Sequence, residues 1–366
     1  MTKVYILIPM LRDDGAIKGA VAVANGLSEY YETTLVVLKK ILPYEVYIKP
    51  KVRIILLNKS IFWISKYRFY NKLLKEENNS KPVSISMCFS ADLINLFARN
   101  NASVVASVRA SMPVTYTTGY GYRGHIWSSL HVYVLKKIEY VLSMSASMSK
   151  QLKKFHIEGV TEIGNFIDEE SLEKERVKSI NLESKVKRLV FVGSLNIRKK
   201  VNFLIDSLYE LKLIGVKFNL DIVGDGELRN DLETKVERLE LGGQIKFHGH
   251  HSNPYSILQA ADYFVLPSLA EGVSRASLEA LFFGIPCILR DVDANSELIK
   301  NGVNGYLFTT DEEFINLLKK ASISNEFKSD RKSLIPTCFT YENGISKLNN
   351  FINEIANEGK SIYEEK

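Results

Sequence analysis

Two glutamates, Glu271 and Glu279, stand with seven residues between them in the run Glu271-Gly-Val-Ser-Arg-Ala-Ser-Leu-Glu279. The segment Tyr263 to Leu289 reads strand, loop, helix, glycine stop, strand. That reading puts Glu271 in the loop and Glu279 about one and a half turns into the helix. The backbone N–H groups of Gly272, Val273, Ser274 and Arg275 then form an anion seat, because the first N–H groups of a helix lack intrahelical acceptors and lie at the positive end of its dipole. A carboxylate on each side of such a seat can accept hydrogen bonds from sugar hydroxyls. The plainer alternative is one glutamate placed by the helix dipole and a second on the surface. Upstream, Phe191-Val-Gly-Ser-Leu-Asn-Ile-Arg-Lys-Lys-Val201 follows a strand and opens a helix. Gly193 lets the backbone approach a ligand, while Arg198 and Lys199 bring positive charge to a helix N-terminus. Preorganised donors of this kind suit negative charge developing on a departing diphosphate. A solvated basic turn is the alternative.

The elements that must position these residues alternate between apolar runs and helix-like stretches. Val4–Ile8 precedes a helix at 19–30 and a strand at 34–38. Short strands are predicted at 84–87, 103–108 and 140–143. A second series runs from 188–192 through strands at 219–223, 245–248, 263–267 and 285–289, with helices between. Such βαβ alternation predicts parallel sheets covered on both faces, with right-handed crossovers. The alternation pauses over the charged residues 165–187, so a lobe boundary is expected near 163–170. The predicted organisation is an N-terminal Rossmann-like lobe at 1–165, a second at 166–340, and a C-terminal helix and tail at 341–366. Apolar residues at 345, 348, 351, 352 and 355 give that last helix one packing face. Two doubly wound lobes would hold a ligand in the crevice at the carboxyl ends of their strands.

The chain has 366 residues, 46% hydrophobic and 25% charged, which suits two ordinary globular cores and excludes collagenous, disordered and disulfide-scaffold classes. Cys88, Cys287 and Cys338 lie far apart and read as buried reduced thiols of a cytosolic protein. The apolar N-terminus lacks a signal-peptide pattern, and no run is long enough to span a membrane. Between Lys39 and Lys75 there are ten Lys/Arg against one acid, Glu45, interleaved with Tyr44, Tyr47, Phe62, Trp63, Tyr67, Phe69 and Tyr70. This stretch suits an anionic membrane surface, or a solvated basic face whose aromatics enter the core. No nucleic-acid motif accompanies it. His248, His250 and His251 suggest a metal, but no carboxylate or cysteine stands at helical spacing nearby, so none is expected. Arg109 is placed at a strand end, where a cleft residue would lie. His125 either faces an acceptor or stacks as a structural histidine.

The glutamate pair resembles the E-x7-E pattern of retaining GT-B glycosyltransferases, family 4 (group 1) type, of bacterial polysaccharide and O-antigen synthesis. Glu271-Gly272, Leu278-Glu279-Ala280 and Gly284-Ile285-Pro286 match its E-G … L-E-A … G-x-P text. The likeness continues through residues 291–299 and 301–308. It implies that Glu271 contacts the donor sugar and Glu279 the ribose. Lys199 aligns with the diphosphate lysine of G-S-L-x-x-R-K-G. Ser194 stands where many members have Arg, with Arg198 taking that charge, and Lys200 stands where they have Gly. The 247–255 run resembles the G-x-x-x-N-P-Y loop that lies against the base, bringing in Asn253. Gly15 matches the second glycine of the family's first loop, where Asp14 replaces the first. Asn165 and Asp168 match its N-x-x-D hinge. The likeness spans most of the chain and is strong over 188–308.

The resemblance implies a GT-B fold, α/β, two Rossmann-like lobes facing across a cleft with the C-terminal helix packing back. It implies retaining, metal-independent transfer of a hexosyl group from an NDP-sugar, UDP ahead of GDP, to a glycan or lipid-linked acceptor, without a cofactor or nucleic acid. The setting would be the cytoplasm, peripherally at the inner membrane face. A GT-B nucleotide-sugar epimerase or an inactive nucleotide-binding homologue are the alternatives. A dehydrogenase is poorer, lacking a strand-linked G-x-G-x-x-G.

Overall fold

A computed structural model describes residues 2–12, 14–41, 47–57, 63–76, 81–177, 186–324, 327 and 331–364. The chain divides into two compact units, residues 1–167 with 338–366, and residues 168–337. In the first, the order is β1 (Lys3–Leu11), α1 (Gly15–Leu27), β2 (Glu32–Ile41), β3 (Arg53–Leu56), α2 (Trp63–Lys75), β4 (Val83–Met87), α3 (Phe89–Phe97), β5 (Ser103–Val108), α4 (Met112–Tyr120), α5 (Arg123–Leu135), β6 (Tyr140–Ser143), α6 (Ala146–Lys154) and β7 (Val160–Glu162). In the second, α7 (Glu169–Glu173) leads to β8 (Lys187–Val192), α8 (Val201–Leu213), β9 (Phe218–Val223), α9 (Arg229–Arg238), β10 (Ile245–Gly249), α10 (Tyr255–Gln259), β11 (Tyr263–Leu266), α11 (Arg275–Phe282), β12 (Cys287–Arg290), α12 (Asn295–Leu298), β13 (Gly305–Phe308) and α13 (Asp311–Ile323). The last helix, α14 (Tyr341–Glu364), belongs to the first unit.

Each unit is the doubly wound parallel sheet that the alternation predicts. The orders are β3-β2-β1-β4-β5-β6-β7 and β10-β9-β8-β11-β12-β13, and the recorded strand pairings are parallel. The order reverses between β1 and β4 in one sheet and between β8 and β11 in the other. Central strands β4 and β5 are buried along their whole length; the two serines of β4 are satisfied inside the core, Ser84 by Tyr70 and Asn95 and Ser86 by Asp92. The predicted apolar face of α14 enters the first unit's core, where Ile345, Leu348, Phe351, Ile352 and Ile355 pack with β1, α1 and β4.

The expectation of three buried thiols needs correction: Cys287 is buried, whereas Cys88 and Cys338 are exposed. Cys88 sits past the end of β4 as the N-cap of α3, at φ 80°, a loop position beyond the sheet core. The basic stretch is partly paired and only part of its aromatics enter the core. Lys49 and Lys51 pair with Glu29 at 2.9 and 3.0 Å and Tyr70 is fully buried, while Tyr47 and Phe69 are exposed. Tyr44, Glu45, Lys59 and Phe62 lie outside the described residues.

Candidate functional site

In the second unit the two predicted clusters meet at the sheet's switch point, the place where doubly wound sheets hold ligands. Arg198 and Lys199 follow β8, and Glu271 follows its neighbour β11. After β8 the chain passes through Gly193, whose N–H donates to Val223 O at 2.9 Å, then makes one 3-10 turn at Ile197–Lys199. Asn196 caps that turn by accepting from Lys199 N at 3.1 Å. A Cβ at Gly193 would stand 3.2 Å from the Phe191 ring and 3.5 Å from Lys199 Cε, so the bare glycine leaves room for the lysine stem. Ser194 is exposed beside it.

Lys199 Nζ donates to Glu271 Oε1 at 2.6 Å, and Arg198 Nη1 donates to the same oxygen at 3.0 Å. Arg198 also holds Ala270 O at 2.6 Å, and Leu269 N donates to Arg198 O at 2.9 Å. Lys199 is 9% exposed and Glu271 7%, so this is a buried cluster in which two cations share one carboxylate oxygen. Burial opposes ionisation of Glu271, but the charges of Lys199 and Arg198 more than offset it and hold the carboxyl below its ordinary value. Burial, with Arg198 adding to it, pushes the Lys199 ammonium down despite the pull of Glu271. The sequence predicted separate duties for these residues, cations for phosphate and acid for sugar. In the structure the three side chains bond one another.

The loop that carries Glu271 continues through Gly272 and Val273, both buried, to Ser274, the N-cap of α11. Ser274 Oγ accepts from Ser277 N at 3.3 Å, so its hydroxyl is occupied in capping. Glu279 is 5% exposed, which removes the surface-glutamate alternative. It accepts from Arg275 Nε at 2.9 Å, and the Tyr255 hydroxyl bonds it from α10. Burial, followed by the Glu279 charge, raises the Tyr255 phenol. The 253–255 loop and Glu279 are thus brought together, although Asn253 itself turns outward, donating to Glu175 Oε2 at 2.8 Å and accepting from Tyr255 N at 3.2 Å.

Gly15 and His125 belong to the first unit. Gly15 is the first residue of α1, and Asp14 is that helix's N-cap, accepting from Ile17 N at 2.9 Å. Aspartate therefore replaces glycine there with a capping gain. His125 is exposed near the start of α5, edge-on to Tyr122. Arg109 donates to Asn165 Oδ1 at 2.8 Å, joining two residues that were read separately. A Cβ at Gly19 would stand 2.2 Å from its guanidinium. Sequence reasoning missed Asp293, whose Oδ2 accepts from Glu271 N at 2.9 Å. It adopts φ 46°, and burial raises its carboxyl. The signal was available, since Asp293 lies in the 291–299 run already matched to the family. Among the described residues no group of three or more His, Cys, Asp or Glu is placed to hold a metal, and His248 Nε2 lies 2.6 Å from Asp221 Oδ1.

Residues 173–335 match the model of the glycosyl transferases group 1. This group 1 segment contains every residue of the switch-point cluster. A relative from Escherichia coli, the UDP-Gal:alpha-D-GlcNAc-diphosphoundecaprenol alpha-1,3-galactosyltransferase, is 40% identical over 104 residues, covering 28% of this chain and 27% of its own. The matched segments span roughly a quarter to a third of the first curated relatives' lengths. A Campylobacter jejuni relative, the GalNAc-alpha-(1->4)-GalNAc-alpha-(1->3)-diNAcBac-PP-undecaprenol alpha-1,4-N-acetyl-D-galactosaminyltransferase, is 25% identical over 92% of both chains. Among solved structures, Anabaena HepE in complex with UDP and glucose superposes with TM-score 0.77 at 15% identity, covering 96% of this chain and 100% of that one. The fold is that of the GT-B glycosyltransferases.

One departure from the family text has a local explanation. Lys200, where the pattern matched in the sequence has glycine, sits in the left-handed region at φ 53°, ψ 36° as it leads into α8. A side chain there costs roughly 1 kcal/mol, and its ammonium lies over the Phe203 ring at 5.2 Å. Lys200→Gly is expected to raise stability by roughly 0.5–1 kcal/mol, read as a higher denaturant midpoint. A lower midpoint would mean that the cation–ring contact outweighs the strain.

Proposed function

We propose that this chain is a retaining glycosyltransferase that moves a hexosyl group from a UDP-sugar to a glycan or lipid-linked acceptor in surface polysaccharide synthesis. One observation carries the reading: buried Lys199 and half-buried Arg198 share a single buried carboxylate oxygen at the switch point of the group 1 sheet. The donor diphosphate takes Lys199 and Arg198, with the α11 N-terminus at residues 272–275 adding dipoles, and Glu271 turns to the sugar hydroxyls. Glu279 holds the ribose, Gly193 and Ser194 line the nucleotide, and Asn253, whose side chain turns to Glu175, shapes the loop beside it. Gly15 and His125, in the first unit, are assigned to the donor phosphate and the acceptor. The bond from the anomeric carbon to the β-phosphate oxygen breaks with its electron pair going to UDP. The acceptor oxygen bonds the same face of that carbon, and its proton passes to the departing phosphate. The names of the E. coli and C. jejuni relatives, both with diphosphoundecaprenol carriers, support a lipid-linked acceptor and a UDP donor.

The test incubates purified protein with UDP- and GDP-sugars and a polyprenyl-diphosphate-linked glycan, then assigns the product anomer by NMR. Transfer with the donor's α configuration kept is expected. Calorimetry that finds no affinity for any uridine or guanosine diphosphate would overturn the reading, and an inverted product would overturn its retaining part.

A further inference from the structure

Arg275 stands where helix physics gives it little reason to be. It is the first residue of α11, and a cation there meets the positive end of the helix dipole. Its partner is Glu279, four residues on, with Arg275 Nε donating to Glu279 Oε1 at 2.9 Å. A helix favours such a pair in the opposite order, acid before base. The guanidinium is also enclosed: the Arg275 side chain is 12% exposed and that of Glu279 7%. Arg275 Nη1 is buried with no hydrogen-bond partner among the described residues, and a buried donor left unpaired costs stability. Residues that break local rules without a structural gain are concentrated at functional sites.

The other end of the pair shows what the arginine serves. Glu279 is the carboxylate that the proposed function gives to the ribose. The Tyr255 hydroxyl bonds it from α10, and burial followed by the Glu279 charge raises that phenol, so it stays a donor. Tyr255 is itself packed on the Phe283 ring, with centroids 5.6 Å apart. The carboxylate is thus gripped from α10 and from the turn before it on its own helix, which fixes its rotation. A carboxylate has about four acceptor sites. The two donors leave about two, the number a vicinal diol needs. Released from Arg275, Glu279 would have to be ordered by the ligand, which lowers affinity by roughly 2- to 10-fold for one mobile side chain.

We propose that Arg275 is a positioning residue that aims the Glu279 carboxylate at the ribose diol, making the site select ribonucleotides over deoxyribonucleotides. The inference rests on the proposed ribose role of Glu279 and adds the residue that enforces it. The E-G … L-E-A text leaves position 275 unspecified, so the glutamate pair alone does not call for it.

Calorimetry with UDP, 2′-deoxy-UDP and 3′-deoxy-UDP tests it. The wild type should prefer UDP about 10- to 100-fold, the range of a hydrogen bond to a charged group. Arg275→Gln should lose up to roughly 10-fold of that preference through weaker UDP binding, with affinity for the deoxy analogues nearly kept. A general loosening of α11 would instead weaken all three ligands together. Arg275→Gln/Glu279→Ala should bind UDP no worse than Glu279→Ala, because residues that act as one unit do not add. In turnover, KM for the UDP-sugar should rise while kcat holds, since a ribose contact is alike in the ground and transition states. If Arg275→Gln does not fold, Arg275→Met is measured in its place with the same expectation. A folded Arg275 variant with the full preference, or additive losses in the double variant, would overturn the proposal. Equal binding of UDP and its deoxy analogues by the wild type would remove the ribose role of Glu279 and this inference with it. The absence of any UDP binding would remove the donor reading itself.

Discussion

Lys199→Ala should lower the turnover of sugar transfer on the order of 100- to 1,000-fold, as removal of one preorganised donor from a buried anion site does elsewhere. The group is buried, and its ammonium is pushed below its ordinary value by that burial. Its charge is therefore poorly screened and, in the function proposed above, would act strongly on a diphosphate that gains charge as the sugar leaves. The loss should be incomplete, because Arg198 reaches the same oxygen at 3.0 Å and remains to meet the leaving group. Most of the effect should fall on kcat, since the lysine matters more as charge develops than in the ground state. Lys199→Arg should not restore it, because Lys199 is already enclosed by the Gly193 turn and the Glu271 loop. Steady-state kinetics with the preferred UDP-sugar, alongside a melting curve to show an intact fold, decide the matter. Near-normal turnover in a folded Lys199→Ala protein would remove the lysine from the mechanism.

The central architecture was legible because central strands announce themselves. Ser103–Val108 and Tyr140–Ser143 are read from sequence with the bounds the structure gives, since a strand buried on both faces is a continuous apolar run. The strands left unread, β3, β7 and β13, are sheet edges. Short β3 and β7 are largely exposed or half-buried, so no apolar run marks them. Helix α5 escaped for a different reason. Its apolar residues lie on both sides, one packing in the core and one facing outward, and the 3.6-residue period cancels.

At the site, residue types were legible and their mutual contacts were not. Arg198 and Lys199 lie more than seventy positions from Glu271, and only the adjacency of β8 and β11 brings them together. Asp293 was missed because its contribution is to accept the backbone N–H of Glu271, an arrangement that no residue spacing encodes. Glu279 could be read as surface or site from sequence alone. Its burial against Arg275 and Tyr255 excludes the surface reading.

Glu271→Gln should separate binding from transfer. The carboxylate pairs with buried Lys199 and half-buried Arg198, and removal of one partner from a buried pair costs about 3–5 kcal/mol, less where an amide oxygen still accepts one bond. A diphosphate would supply the missing charge. UDP is therefore expected to bind the variant at least as tightly as the wild type and to raise its melting temperature more, while sugar transfer falls at least 100-fold for want of the acid that holds the sugar, a loss on the scale of one removed transition-state contact. The pH dependence has a definite sign. The folded carboxyl titrates below its ordinary value of 4.5, so its stabilisation is fully present above that value and is lost as pH falls through the depressed folded one. The stability gap between wild type and Glu271→Gln should thus hold at neutral pH and close in acid below the ordinary carboxylate range. A gap independent of pH, together with weaker UDP binding by the variant, would show that Glu271 is not the anion those two cations wait to exchange.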